Sequence, residues 1–493
     1  MAITITKTLS IIALEAYEVN IEVHSSKGLP TFKVVGVQDS LARESRERVR
    51  SALLNQGFKF SASRYTVNLG LSMQNKIEGN YDLGIAIGLL FSTSQINLHP
   101  NLKLQNIYFV SDLSLSGELN SINHLEVLAL KIHSINPNPT LVISASLSWI
   151  VEYAPNINFV FAKNLKQVVE YLQTGEPPNY EKNISSYFCI PPNANCLSEV
   201  EGLHEACYAL EVASSGGHNM VVGGATGIGK TMLCRRATGI LPPFNNREFL
   251  EVLSIYKLAQ VNPPNDIPYR NPLSTMSVSV LSGNNQQNYV GEFSLAHNGV
   301  LHIDDLQNAN LEFMETIRMA TMHRIVNQFR SKQKVVLPAN FLFLGTYQPC
   351  DCSYLYSNKC RCTKTILMKY EKKMETLFRE VFDIHVRING GLESIIQPNN
   401  TSEEVRKRVI QARESQIQRQ GRLNAHLDEE ELPKYAYIDS NSNELILKLK
   451  QGRNISQKSL MRILRVARTI ADLEENRHIS PSNLNKAIYL YGY

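Results

Sequence analysis

The sequence predicts a multidomain α/β protein. A mixed α+β N-terminal segment is followed by a central α/β segment on a parallel sheet and a helical C-terminal segment. Three observations predict this. The chain has 493 residues, enough for about three domains. Residues 224–231 match the phosphate-binding pattern G-x-x-x-x-G-K-[ST], with a strand pattern before it and a helix pattern after it. Beyond residue 396 the apolar spacing and the capping residues are those of helices.

Composition narrows the classes further. Apolar residues make up 43% of the chain, which supplies ordinary cores and excludes a fully disordered protein. The net charge of +5 is nearly neutral over this length. That excludes a dedicated basic nucleic-acid coat and leaves local basic faces open. The longest apolar run, Leu83–Phe91, is half of what a bilayer span needs, so no membrane helix is expected. The N-terminus has no charged region leading into a long apolar stretch, and Glu15 interrupts it, so no signal peptide is expected. Of eight cysteines, four are scattered over 189–234 and four crowd into 350–362. This usage fits a reducing compartment, the cytoplasm, with one candidate metal cluster.

In chain order, residues 1–175 read as mixed α and β. Val19, Ile21 and Val23 alternate as a strand does, and so does Thr31–Val37. Asp39–Asn55 reads as a helix ended by Gly57, with Arg43, Arg46 and Arg50 on one face and a Glu44–Arg48 pair. That face is either solvated or a contact for nucleic acid or another subunit. Arg64–Leu71 is a further strand. Gly175-Glu-Pro-Pro178 and Pro191-Pro192 bracket a polar stretch, which places a linker at 176–197.

Residues 198–395 alternate strands and helices. Met220–Val222 reads as a strand and Thr231–Arg236 as a helix, with the glycine-rich loop between them. Such a loop turns backbone N–H groups toward phosphates. Gly224, Ala225, Thr226, Gly227, Ile228 and Gly229 would form the cradle, Lys230 would reach the β- and γ-phosphates, and Thr231 would offer a hydroxyl to Mg²⁺. A second strand, Val300–Ile303, ends in Asp304 and Asp305. The first would hold Mg²⁺ and the second would orient the attacking water. A third strand, Phe341–Thr346, leads to Gln348, a polar group positioned to touch the γ-phosphate or the water. Cys350-x-Cys352 and Cys360-x-Cys362 are either four thiolates around a structural zinc or reduced thiols.

Residues 396–493 are helical. Thr401-x-x-Glu404 forms a capping box, and Ser480-Pro481 opens the last helix. Lys458, Arg462 and Arg465 share one helix face, pointing either to solvent or to nucleotide.

Together these stretches resemble the magnesium-chelatase-like AAA+ ATPases of bacteria, in the ComM/YifB competence-protein group. The resemblance runs over nearly the whole chain. It is carried by Gly28–Gly36, Arg43–Arg50 and Tyr65–Leu69, then by Gly216–Asn219, the P-loop, Gly239–Pro243 and Gly291–Val300, and in the last segment by Arg462–Leu473. It implies an N-terminal domain with the fold of the Lon protease domain (1–175), an AAA+ core (198–395) and a helical lid (396–493). It also implies a hexameric ring with ATP between subunits, and DNA binding with helicase-like branch migration in natural transformation.

Several positions depart from the family pattern. Asp305 stands where the family has glutamate, and Gln348 where it has asparagine. The finger arginine aligns with Val381, with Arg379 the nearest substitute, and the lid arginine aligns with Lys458. Tyr81 lies near the position of the Lon serine, so no peptidase activity is expected. The expected catalytic set is therefore Asp305, Gln348 and Arg379, with Lys458 added to the nucleotide-binding residues and hydrolysis weakened. The leading function is an ATP-driven motor acting on DNA. A non-motor ATP-binding regulator and a chelatase-type metal-insertion subunit are the rivals.

Overall fold

A computed structural model describes residues 3–70, 80–182, 196–284, 289–330, 333–350, 352–353, 355, 360–378, 380–388, 400–438, 442–446 and 456–492. The chain divides into two compact units, one of Met1–Tyr187 with Asn245–Pro263, the other of Phe188–Phe244 with Pro264–Tyr493.

In the first unit the strands are β1 (Ile3–Ile12), β2 (Glu15–Ser26), β3 (Thr31–Val35), β4 (Arg64–Gly70), β5 (Ile107–Phe109), β6 (Thr140–Ser144) and β7 (Asn158–Ala162). They form one sheet in the order β3-β4-β2-β1-β5-β6-β7. β2 runs antiparallel to both β1 and β4, and the other pairs are parallel. Val19, Ile21 and Val23 alternate into the core as their spacing predicts. The apolar run that is too short for a membrane forms the helix Asp82–Ser92, buried from Asp82 through Leu90. It lies close on β1 and β2, where Thr6 Oγ1 donates to the Gly84 carbonyl at 2.9 Å. A Cβ on Gly84 would meet Ile21 Cδ1 at 2.5 Å, and one on Gly88 would meet Val23 Cγ2 at 2.6 Å, so a larger residue at either position would force these side chains to move.

The helix Asn246–Leu258 also belongs to this unit, opened by a capping box of Asn245 and Glu248. Phe249 packs its ring 4.2 Å from that of Tyr153, and Lys257 Nζ donates to the buried Glu126 at 2.9 Å. The boundaries drawn from sequence contain no such excursion.

The second unit carries β8 (Met220–Gly224), β9 (Tyr269–Arg270), β10 (Gly283–Asn284), β11 (Tyr289–Val290), β12 (Val300–Ile303), β13 (Ile325–Arg330), β14 (Gln333–Pro338), β15 (Leu342–Tyr347) and β16 (Ile384–Ile388). Five of them form a sheet that is parallel throughout, in the order β16-β8-β15-β12-β9. β8, β12 and β15 are buried along their whole length, as strands covered on both faces are. Among the described residues, two antiparallel pairs, β10 with β11 and β13 with β14, lie outside this sheet. The helices Ser402–Gln420 and Pro481–Tyr491 begin at the predicted caps, Thr401 and Ser480. With Gln457–Leu473 they close the unit: Arg408 pairs with Glu211 at 2.6 Å, and His218 Nε2 bonds Thr469 Oγ1 at 2.8 Å. Among the described residues, no helix is long and apolar enough to cross a membrane.

Candidate active site

Parallel strands bring their C-terminal ends to one edge, where open α/β sheets bind ligands. Here β8 ends in the glycine-rich loop, β12 in Asp304 and β15 in Gln348. The register levels these ends, since Thr346 pairs with Val222 and Gly345 with Ile303. Gly227 and Gly229 have φ of +84° and +98°, a left-handed backbone that glycine adopts without steric cost. The helix Lys230–Arg235 follows at once. Lys230 Nζ donates to the loop's own carbonyls, Gly224 at 2.7 Å and Ala225 at 2.9 Å. Burial lowers its pKa against the opposing pull of Asp305 and Asp304. The cation is thus held inside the loop by the loop's own backbone.

Across from it, Asp304 Oδ1 accepts from Thr231 Oγ1 at 3.0 Å and from Thr346 Oγ1 at 2.6 Å. The His302 ring lies 3.2 Å away. Burial alone would raise the pKa of Asp304. The contacts with His302, Thr346 and Thr231 outweigh it and hold the group well below the usual carboxylate range. Thr231 and Asp304 therefore offer converging hard oxygen donors, the donor chemistry that Mg²⁺ selects. Asp305 has a left-handed backbone, φ 54°, and its Oδ1 accepts from Gln307 Nε2 at 3.0 Å and Gln348 Nε2 at 3.3 Å. Gln348 in turn receives the Ser353 hydroxyl on its Oε1. The acid and the amide singled out by sequence are therefore hydrogen-bonded to each other.

Lys458 is not brought to this edge. It lines a cavity of about 380 Å³ together with Asn219, Asp383, Arg462 and Arg465. Asn219 and Asp383 immediately precede β8 and β16, so this is the N-terminal edge of the sheet. The five residues of β8 span roughly 16 Å to the loop at the other end. Arg462 Nη1 donates to the Phe382 carbonyl at 3.0 Å. Val381 is buried, and Arg379 lies outside the described residues. In the first unit, Arg46 bonds the Phe32 carbonyl at 3.0 Å, and Arg50 stands 5.8 Å over the Phe60 ring, while Arg43 is exposed. Two of the three arginines on that face are thus engaged in local packing.

The sulfurs of Cys350, Cys352, Cys360 and Cys362 all lie within 4.8 Å of one another. Cys350 and Cys352 are 3.3 Å apart, and Cys352 and Cys360 3.6 Å. Tetrahedral zinc with Zn–S near 2.3 Å sets sulfurs about 3.8 Å apart, so the cluster has the dimensions of a four-thiolate site.

Sequence reasoning missed His302, Tyr269, Gln307 and the role of Thr346. One signal was available for His302: it stands two residues before Asp304 on a strand, hence on the same side. Gln307 stands two residues after Asp305, in the short turn that Asp305 caps, so its nearness was legible too; Tyr269 comes from another strand and leaves no local pattern.

Comparisons with known proteins cover the chain in three stretches. The profile "Magnesium chelatase, subunit ChlI" matches residues 196–394. "Subunit ChlI of Mg-chelatase" matches 21–145, and "Magnesium chelatase, subunit ChlI C-terminal" matches 399–490. The competence protein ComM of Haemophilus influenzae is 30% identical over 499 residues, covering 99% of this chain and 97% of that protein. The uncharacterized protein YifB of Escherichia coli shows the same identity and coverage. An uncharacterized protein of Mycobacterium tuberculosis is 28% identical over 96% of this chain and 95% of its own length.

Proposed function

Because the chain belongs to the magnesium-chelatase-like family that includes YifB and ComM, we propose that it is an AAA+ ATPase of the ComM type, a cytoplasmic motor acting on single-stranded or branched DNA. The observation that carries this reading is the convergence of a P-loop, a metal-ready Thr231–Asp304 pair and the Asp305–Gln348 pair at one edge of a parallel sheet. Residues 224–231 bind the phosphates. Lys230 would leave its loop carbonyls for the β- and γ-oxygens, and Thr231 and Asp304 would hold Mg²⁺, which would supply neutralisation of phosphate charge. Asp305, oriented by Gln348, positions the attacking water.

The remaining parts follow the same reading. Residues 1–175 are a Lon-protease-domain-like module and 176–197 a linker. Residues 198–395, apart from the stretch 245–263 that joins the first unit, are the AAA+ core and 396–493 the lid. Lys458 lies across the sheet from its own P-loop, so it serves the nucleotide of a neighbouring copy in a hexameric ring, and Arg379 is the finger. The four cysteines hold a structural zinc.

Asp305 favours a second reading, a regulator that binds ATP and turns it over slowly. Its side chain is one methylene shorter than glutamate and is already engaged by Gln307 and Gln348. ATPase turnover with and without single-stranded and branched DNA separates the two. DNA-stimulated turnover supports the motor, and binding without stimulation supports the regulator. Lys230→Ala is expected to lose most nucleotide affinity. Equal binding of a fluorescent ATP analogue by wild type and Lys230→Ala would falsify both.

A further inference from the structure

We propose that His302, held by Tyr269, is a positioning residue for Asp304 and sets how tightly the nucleotide site takes its divalent cation. The inference rests on the ATP-binding reading above and extends it to residues outside the P-loop.

β12 is a fully buried strand of a parallel sheet, where apolar side chains are the rule. His302 breaks that rule and is completely buried. A buried imidazole costs stability unless both nitrogens find partners. Nδ1 has one: the Tyr269 hydroxyl lies 2.5 Å away, on the neighbouring strand β9, whose register sets Tyr269 beside Val300. A hydroxyl that donates to Nδ1 leaves the ring proton on Nε2. Nε2 faces Asp304 Oδ1 at 3.2 Å, yet its alignment falls short of a formed hydrogen bond. With the Tyr269 hydroxyl donating to Nδ1, Nε2 carries a buried N–H beside the acid, and the Cys234 thiol is its other neighbour.

That acid oxygen already receives two hydroxyls. One belongs to Thr231, whose oxygen is itself a candidate metal ligand, and the other to Thr346. His302 supplies a donor to Asp304 that does not depend on Thr231. The carboxylate can therefore keep its orientation when the Thr231 hydroxyl turns toward a cation. Partners one shell behind a metal ligand change metal affinity by about 10- to 100-fold when removed. Tyr269 acts one step further out by holding the ring's orientation through Nδ1.

The test titrates a fluorescent ATP analogue against wild type, Tyr269→Phe, His302→Phe and His302→Gln, first in EDTA and then across Mg²⁺ concentrations. Bound Mn²⁺ is read in parallel by its paramagnetic resonance. In EDTA all four proteins are expected to bind alike. The Mg²⁺ midpoint is expected to rise about tenfold or more in Tyr269→Phe and His302→Phe. His302→Gln, which keeps an N–H donor, is expected to recover part of the loss. Unchanged Mg²⁺ midpoints in Tyr269→Phe and His302→Phe overturn the proposal. Loss of binding in EDTA marks a damaged fold in the His302 variants. Tyr269→Phe, which removes one hydroxyl from a half-buried ring, then decides. If wild type itself ignores the analogue, or Lys230→Ala binds it equally, the ATP reading falls and takes this inference with it.

Discussion

Asp112 and Asp82 line one cavity of the first unit, about 510 Å³, with Arg48 and Ser45 between them. Asp82 is satisfied, accepting from Ser45 Oγ at 2.6 Å and Arg48 Nε at 2.5 Å. Asp112 has a buried oxygen without a hydrogen-bond partner. Burial first and the facing Asp82 second push its pKa up to about 7, while Arg48 pulls the other way. An acid whose folded pKa lies above its unfolded value of 3.8 binds more protons folded than unfolded in that window. Stability therefore falls as pH rises from about 4 through 7. Asp112→Asn is neutral at every pH. It is expected to melt above wild type at pH 8, with the gap closing toward pH 4. A variant less stable than wild type at pH 8 would show that Arg48 needs the ionised carboxylate.

Among the elements, the segment after β15 changes partner within a few residues. Strand hydrogen bonding ends at Tyr347, and Cys350 is already buried beside the other three thiols before the helix Lys364–Phe378 begins. Two C-x-C pairs on one segment can close a tetrahedral site because each pair contributes two sulfurs from the same turn. Protein purified without chelator is expected to carry about one zinc per chain, the load of one four-ligand site. Stripping it is expected to free all four thiols for alkylation and to loosen this segment, since metal binding there is coupled to folding. Metal-free protein with four readily alkylated thiols and unchanged stability would reject the site.

At the scale of the whole molecule, the first unit is not a continuous piece of chain. The helix Asn246–Leu258 buries Phe249, Leu250, Val252, Leu253, Ile255 and Tyr256, and its Lys257 neutralises Glu126, which is completely buried. A fragment ending at residue 187 would bare the surface that this helix covers, Tyr153 included, and leave the buried Glu126 with only His124, 3.6 Å away, in place of Lys257. Removing one partner of a buried ion pair costs about 3–5 kcal/mol, and Lys257, being partly exposed, belongs at the low end. The fragment 1–187 is expected to unfold at markedly lower urea than a version with residues 245–263 fused back through a flexible linker. Equal urea midpoints would mean that this helix contributes nothing to the unit.

The sequence alone determined whatever depends on neighbours along the chain. The P-loop was legible because its glycines, lysine and threonine must be contiguous for backbone N–H groups to converge on a phosphate. The strands ending in Asp304 and Gln348 were legible from short apolar runs closed by polar residues, and the helices from Thr401 and Ser480 from their caps. Tertiary structure alone decided which side chains share a space. It bonded Asp305 to Gln348, set Lys458 at the far edge of the sheet, aimed His302 at Asp304 through Tyr269, and gave a helix from the middle of the chain to the first unit. The physical reason is that strand order and register join residues tens of positions apart. Tyr269 meets His302 only because β9 pairs with β12, and no local spacing records that pairing.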